Sequence, residues 1–228
     1  MDLSIVIPAY LEEENLRVLL PRLIAAVNEL NIAYEVLVVD GVNSKDKTCD
    51  VCKEFGVRYI VQEGGNHYGD AVRTGIRKVT GEYLLFMDAD GSHEPEFINK
   101  VYEARNGYDI VIASRYVAGG GTNNKGASII MSWAVNFTYS FLFSLHCKDV
   151  SNSFKLYRRS LFAPITLKSD HFDVIQEILI KMKRTKKDLS IHEIPYHLQE
   201  RMYGDTKRNL FVFAVSYIQT LVRLKFMD

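Results

Sequence analysis

Acidic residues at the ends of apolar runs dominate the chemistry this sequence carries. Five Val/Ile/Leu-rich runs of strand length occupy Leu3–Ile7, Tyr34–Val39, Val57–Val61, Tyr83–Met87 and Asp109–Ala113. The first leads into Pro8-Ala9-Tyr10-Leu11-Glu12, the second into Asp40, the fourth into Asp88-Ala89-Asp90 and the fifth into Ser114-Arg115-Tyr116. In an extended D-x-D, alternation turns Asp88 and Asp90 to the same side. Paired carboxylates repel unless a cation or hydrogen-bond donors lie between them. Hard oxygen ligands of this kind suit Mg²⁺ or Mn²⁺ and leave coordination positions for substrate phosphates.

The elements that position these groups alternate in period. Helical patterns at Glu12–Leu30, Lys45–Phe55, Tyr68–Val79 and Pro95–Asn106 separate the apolar runs. Near-continuous apolar runs mark strands covered on both faces. The βαβ order predicts an α/β fold, a Rossmann-like, mostly parallel sheet flanked by helices. Ligands in such sheets bind at the carboxyl ends of strands, where the acidic residues fall.

After Gly119-Gly120-Gly121 the pattern changes, and Gly119–Gly126 is a candidate hinge. The uncharged run Gly126–His146 reads as a helix, buried or interfacial, too polar for a membrane span. A short strand at Phe154–Tyr157, a helix at Phe172–Arg184, a strand at Leu189–Ile194 stopped by Pro195, and a terminal helix at Leu210–Met227 follow. The expected organisation is one domain over 1–228, with a nucleotide-sugar-binding half at 1–118 and an acceptor-side helical extension at 119–228.

Composition removes several classes. The 228 residues carry 28 Lys+Arg and 28 Asp+Glu, for a formal net charge of zero. That balance argues against a nucleic-acid binder working by phosphate neutralisation. Three cysteines are too few, and odd in number, for a disulfide framework, so a reducing compartment is expected. No basic leader or cleavage site precedes the first strand, so the expected location is cytoplasmic, or peripheral on the cytoplasmic face of a membrane.

With these residues in place, the sequence resembles the family 2 glycosyltransferases of GT-A fold. Within them it is most similar to the dolichyl-phosphate and polyprenyl-phosphate hexosyltransferase (mannosyltransferase) group. The resemblance rests on IVIPAYLEEENL, the VLVVD ending at Asp40, GDAVRTG, MDADGSHEPE, ASRY, DVSNSFKLYRR, Glu177–Lys181, and Arg201 to Lys207 in the pattern R-x-x-G-x-[ST]-K. It implies that Pro8, Tyr10, Glu12, Val38 and Asp40 surround the nucleoside and that Asp88 and Ala89 touch the nucleotide. Asp90 would hold the divalent cation, Mg²⁺ or Mn²⁺, with Ser92 completing its shell. Arg115, Arg201 and Lys207 would gather the donor diphosphate or the acceptor phosphate. The implied partners are a nucleotide-sugar donor (GDP- or UDP-linked), a polyprenyl or dolichyl phosphate acceptor, a membrane surface, and a membrane-anchoring partner or second copy. Inversion at the anomeric carbon is implied as well.

The sequence departs from the family pattern at three places. Asp40-Gly41 stands where Asp-Asp is common, Ser128-Ile129 where an arginine pair is common, leaving Lys125 nearest, and Asn152-Ser153-Phe154 where Ser-Gly-Phe is common. Two other readings stay open. An acceptor hydroxyl on a glycan or glycolipid would need a carboxylate base, with Asp149, Asp170 and Asp173 as candidates. A non-catalytic, glycosyltransferase-like subunit would need none of these groups. A nucleotidyltransferase would share the sheet, but the chain's start lacks a glycine-rich phosphate loop.

Other features have plainer readings. Cys49-x-x-Cys52 reads as helix surface or core, and His93 as a group behind the site or in solvent. Trp133, Phe137, Phe141 and Leu145 recur at helical spacing and read as packing. Lys181–Lys187 reads as a solvated helix end.

Overall fold

The structure is a computed structural model that describes residues 1–123, 127–203 and 210–226. Its centre is a seven-stranded sheet of order β3-β2-β1-β4-β7-β5-β8. The strands are β1 (Leu3–Ala9), β2 (Tyr34–Asp40), β3 (Arg58–Val61), β4 (Tyr83–Phe86), β5 (Ile110–Ser114), β7 (Lys155–Arg158) and β8 (Ile191–Pro195). All pair in parallel except β7, which runs antiparallel between β4 and β5. A second ladder joins β6 (Gly121–Thr122) to β9 (His197–Leu198).

Period-two alternation along β1 builds two cores. Leu3, Ile5 and Ile7 face one cluster with Leu16, Leu19 and Leu23 of α1 (Glu13–Asn28) and Ile98 and Val101 of α4 (Phe97–Glu103). α2 (Thr48–Glu54) adds Val51 and Cys52 to that side. Val6 faces the other cluster, with Val72 of α3 (Tyr68–Lys78) and Ile175, Ile178 and Leu179 of α6 (Val174–Thr185). That side also takes Tyr139 of α5 (Ala127–Phe143) and Tyr217 and Leu224 of α7 (Leu210–Phe226). Both faces of the sheet are therefore covered, as the continuous apolar runs require.

The glycine-rich stretch is fastened at its start. Gly121 N donates to Tyr196 O at 3.0 Å and Asn123 N to Leu198 O at 3.1 Å, so the β6–β9 ladder pins 121–123 where a hinge was expected. Residues 124–126 lie outside the described residues. Among the described residues no helix is long and apolar enough to cross a membrane.

Candidate active site

A cavity of about 600 Å³ opens at the carboxyl ends of β1, β2 and β4. The strand order reverses between β1 and β4, the position where open α/β sheets bind ligands. Pro8, Tyr10 and Glu12 reach the cavity from the end of β1, and Asp88, Ala89, Asp90 and Ser92 from the turn after β4.

The D-x-D turn is held from several directions. Asp90 Oδ1 accepts from Ser92 N at 3.0 Å and Ser92 Oγ at 2.6 Å. Gly91, at φ +79°, lets the backbone reverse between them, in a region that favours glycine. Asp88 Oδ1 accepts from Ser153 Oγ at 2.9 Å. Asp88 N donates to His93 Nδ1 at 3.0 Å, so Nε2 carries the ring hydrogen and donates to Asn152 Oδ1 at 3.2 Å. His93 is thus a buried prop behind the site, the first of its two sequence readings, stacked on Phe154 at 4.6 Å.

Arg201 joins this turn to β1. Its guanidinium pairs with Glu12 Oε1, and its Nη1 lies 3.7 Å from Asp90 Oδ2. Met202 N donates to Asp90 O at 2.9 Å and Gln199 N to Ser92 O at 3.1 Å, laying residues 199–202 along the acidic turn. Lys207, and Lys125 near the missing arginine pair, lie outside the described residues.

Arg115 lines the cavity but is already neutralised. Its Nε and Nη2 donate to the two oxygens of Asp149 at 2.8 and 2.7 Å, and Nη2 also donates to Ser151 Oγ at 2.8 Å. Burial opposes both charges. The Asp149 charge and hydrogen bonds outweigh it and raise the guanidinium above its ordinary value, while Arg115 holds the fully buried Asp149 below the usual carboxylate range. Arg115, expected to gather a phosphate, thus faces the cavity as one half of a buried ion pair.

Two expected nucleoside contacts sit behind the cavity wall. Asp40 is fully buried, its oxygens accepting from Gly41 N at 2.8 Å and Tyr59 OH at 3.1 Å, and the Val38 side chain belongs to the core. Neither lines the cavity, whereas Gly41, Gln62 and Asn66 do. Gln62 follows β3 directly and Asn66 lies four residues further on; neither carries a chemical signature in sequence, and neither is singled out there.

The candidate bases of the hydroxyl-acceptor reading are engaged elsewhere. Asp149 is locked to Arg115, exposed Asp170 pairs with Arg73 at 3.0 Å, and buried Asp173 accepts from Thr220 Oγ1 at 2.6 Å. The carboxylates that line the cavity, Glu12, Asp88 and Asp90, all stand at its β1–β4 end. The lining also takes in Met131 and Ser132 of α5, His171, Phe172, Ile175 and Tyr217.

Other expectations resolve similarly. Cys49 and Cys52 are free on α2, and burial pushes the Cys52 thiol up to about 12. The basic stretch is partly structural: Lys181 pairs with Glu177 at 2.9 Å and Lys186 with Asp109 at 2.6 Å. Of the expected packing stripe only Leu145, just past α5, is buried in the core; its aromatic members are not. Trp133, Phe137 and Phe141 are 57%, 59% and 73% exposed and stack on one another along the outer face.

Comparison with known proteins places this geometry. Over 223 residues the chain is 34% identical to a dolichol-phosphate mannosyltransferase of Pyrococcus furiosus, covering 91% of this chain and 59% of that protein. The chain thus spans little more than half the length of that relative. A dolichol-phosphate mannosyltransferase of Saccharomyces cerevisiae is 27% identical over 98% of this chain and 87% of its own length. The fold is shared with glucosyl-3-phosphoglycerate synthase from Mycobacterium tuberculosis, solved with Mn²⁺, UDP and phosphoglyceric acid. That structure superposes with TM-score 0.73 at 18% identity, over all of this chain and 79% of the other. Residues 4–166 match the family described as Glycosyl transferase family 2, and with its acidic strand ends gathered at one sheet edge the chain belongs to that family.

Proposed function

We propose that this protein transfers a hexose, mannose by its relatives' names, from a nucleotide sugar to a polyprenyl phosphate with inversion. The observation that supports the reading is the lining of the cavity: among the described residues its carboxylates, Glu12, Asp88 and Asp90, all follow β1 and β4, while the second half contributes Met131, Phe172, Ile175 and Tyr217 among hydroxyl and His171 side chains and no carboxylate. A phosphate monoester with a second pKa near 6 is largely dianionic at neutral pH. Its oxygen attacks the anomeric carbon, the bond to the nucleoside diphosphate breaks, and no proton has to be removed by the protein. A wall without a carboxylate can then line the acceptor, where a hydroxyl would need a base.

The residues present fit a divalent cation. Asp88 and Asp90 share one turn, and Mg²⁺ is held by one or two carboxylates with the remaining positions left to water and phosphate oxygens. When bound, such an ion offsets the negative charge that grows on the departing diphosphate. Asp90 and Ser92 would hold it, while Arg201 presents fixed charge beside them and Arg115–Asp149 fixes the loop behind Ser151. Positioning and charge stabilisation do the rest.

The exposed stripe on α5 and the exposed Ile218, Val222 and Phe226 of α7 are the apolar surfaces that would meet the lipid carrying the acceptor. Aromatic apolar faces of this kind suit interfacial helices. The test is nucleotide-sugar turnover with and without polyprenyl phosphate in liposomes. Transfer to the lipid and flotation of the protein with the vesicles are expected. Turnover of a soluble hydroxyl acceptor by a protein that never floats would overturn the reading.

A further inference from the structure

The cavity wall beyond β2 and β3 is built from two side-chain amides whose hydrogen bonds are half spent. Gln62 gives both amide hydrogens away, to Gly65 O at 2.9 Å and Asn66 Oδ1 at 3.2 Å. Asn66 Oδ1 also accepts from Val42 N at 2.9 Å, and a backbone N–H can only donate, so that atom must be the oxygen. What the pair has left is an acceptor, Gln62 Oε1, and a donor, Asn66 Nδ2. Both residues line the cavity, and Asn66 is exposed in it.

Gly41 makes room for this arrangement. A Cβ there would lie 2.8 Å from Asn66 Oδ1 and 3.1 Å from the Tyr10 ring, so Asn66 and Tyr10 occupy the ground a side chain at 41 would take. The strand order then sets the distance to the acidic turn. β2 and β3 lie on one side of β1 and β4 on the other. With strands about 4.8 Å apart, the amide pair stands roughly 10–15 Å from the D-x-D turn. A nucleoside diphosphate whose diphosphate meets Asp88–Asp90 reaches back across that span with its base.

We infer that Gln62 and Asn66 are specificity-determining residues that together read the hydrogen-bonding edge of the donor's nucleobase, beside the Tyr10 ring. The inference rests on the glycosyltransferase reading above. Every nucleobase offers neighbouring donor and acceptor groups, but in different positions, and a site with fixed polar atoms rejects the edge that leaves them unpaired. Aromatic rings beside bases add sequence-tolerant stacking, so the amides supply the choice.

Asn66→Asp is the decisive variant because it is isosteric. One carboxylate oxygen still accepts from Val42 N and Gln62, and the other replaces a donor with an acceptor at the position facing the ligand. Wild type and variant are titrated with UDP, GDP, CDP and ADP in the presence of Mn²⁺. All four ligands share the diphosphate, so the added negative charge cancels in ratios between bases. The wild type is expected to prefer one base, and Asn66→Asp to shrink that preference about tenfold or more. Gly41→Ala, which pushes Asn66 aside without changing charge, is expected to shrink it likewise, and serves if the first variant does not fold. An unchanged ratio in both, or a wild type that binds all four equally, would overturn the assignment and leave the glycosyltransferase reading standing. A wild type that binds none of them would overturn both.

Discussion

The two regions on either side of the glycine-rich stretch solve the problem of positioning differently. In 1–118 the site groups ride on strand ends, and the ladders place them: Ala9 pairs with Asp40 across β1–β2, and Val6 with Phe86 across β1–β4. Backbone hydrogen bonds set those positions whatever the side chains. In 119–228 the cavity wall comes from three helices, α5, α6 and α7, and the loops between them, and buried side-chain anchors place them. Asp149 holds Arg115; Glu177 accepts from Ser169 N at 2.7 Å and pairs with Lys181 and Arg223; Asp173 holds Thr220. Buried ionic anchors cost desolvation and are weak as sources of stability, but removing one partner is expensive. Polar groups carried only on strand ends should therefore lose function without unfolding when changed, whereas breaking a buried ion pair that anchors the second region, from either partner, should cost stability.

The strongest test of that contrast is Asp90→Asn. The carboxylate is partly exposed on a turn after β4 and fills no core space. Losing a charge that holds a divalent cation beside developing negative charge should remove several kcal/mol of transition-state stabilisation, roughly a thousandfold in turnover. Circular dichroism and melting temperature should stay at wild-type values. A variant as active as wild type, or turnover that survives exhaustive metal removal, would sink the cation-binding role.

Arg115→Ala should show the opposite balance. It strands Asp149, fully buried, without its bidentate partner, at a cost of about 3–5 kcal/mol. Chemical denaturation should show a lower midpoint at unchanged slope. Replacing both partners with apolar residues should recover most of the loss, which a purely catalytic Arg115 would not predict. Asp149 also gives a sign for acid. Its folded value is depressed, so its contribution is present above the ordinary Asp range and is lost as pH falls through the folded value. The wild type should lose stability there more steeply than the variant with both partners replaced.

The first region was legible because its signals are local. Each apolar run became a strand within a residue or two, and the acidic residues after them fell at one sheet edge. What sequence could not carry was pairing over distance. Nothing in Phe154–Tyr157 says that β7 slots antiparallel between β4 and β5, and nothing in Ser-Arg-Tyr says that Arg115 is claimed by a residue 34 positions on. Asp40 reads like Asp88 in sequence, yet Tyr59 from the neighbouring strand holds it behind the wall. The aromatic stripe of α5 shows the same gap. Period 3.6 fixes which residues share a face, not whether that face meets protein or solvent.

The smallest effect expected belongs to Lys155, and it sharpens the contrast most finely, because this residue of β7 carries a second-region anchor inside the shared sheet. It is fully buried, and its Nζ donates to Val150 O at 3.1 Å and to Asn152 O, clamping the loop that bears Ser151 and Ser153. Burial, partly opposed by the Asp149 charge, brings its value down to about 8 from 10.5. Between those values the unfolded chain holds the proton and the folded chain does not, so the unfolded state binds more protons and stability rises with pH. The slope is at most about 1.4 kcal/mol per pH unit. Buried thiols work the other way above pH 9, since burial pushes Cys52 and Cys147 up to about 12. The difference between wild type and Lys155→Met removes the share of Cys52, and because the Cys147 thiol interacts with Lys155 both proteins carry Cys147→Ser. That difference should move in favour of the wild type from pH 8 to 10.5 and be flat from pH 6 to 7. A difference flat across the whole range would mean that Lys155 titrates alike in the folded and unfolded chain, and that burial does not lower its value.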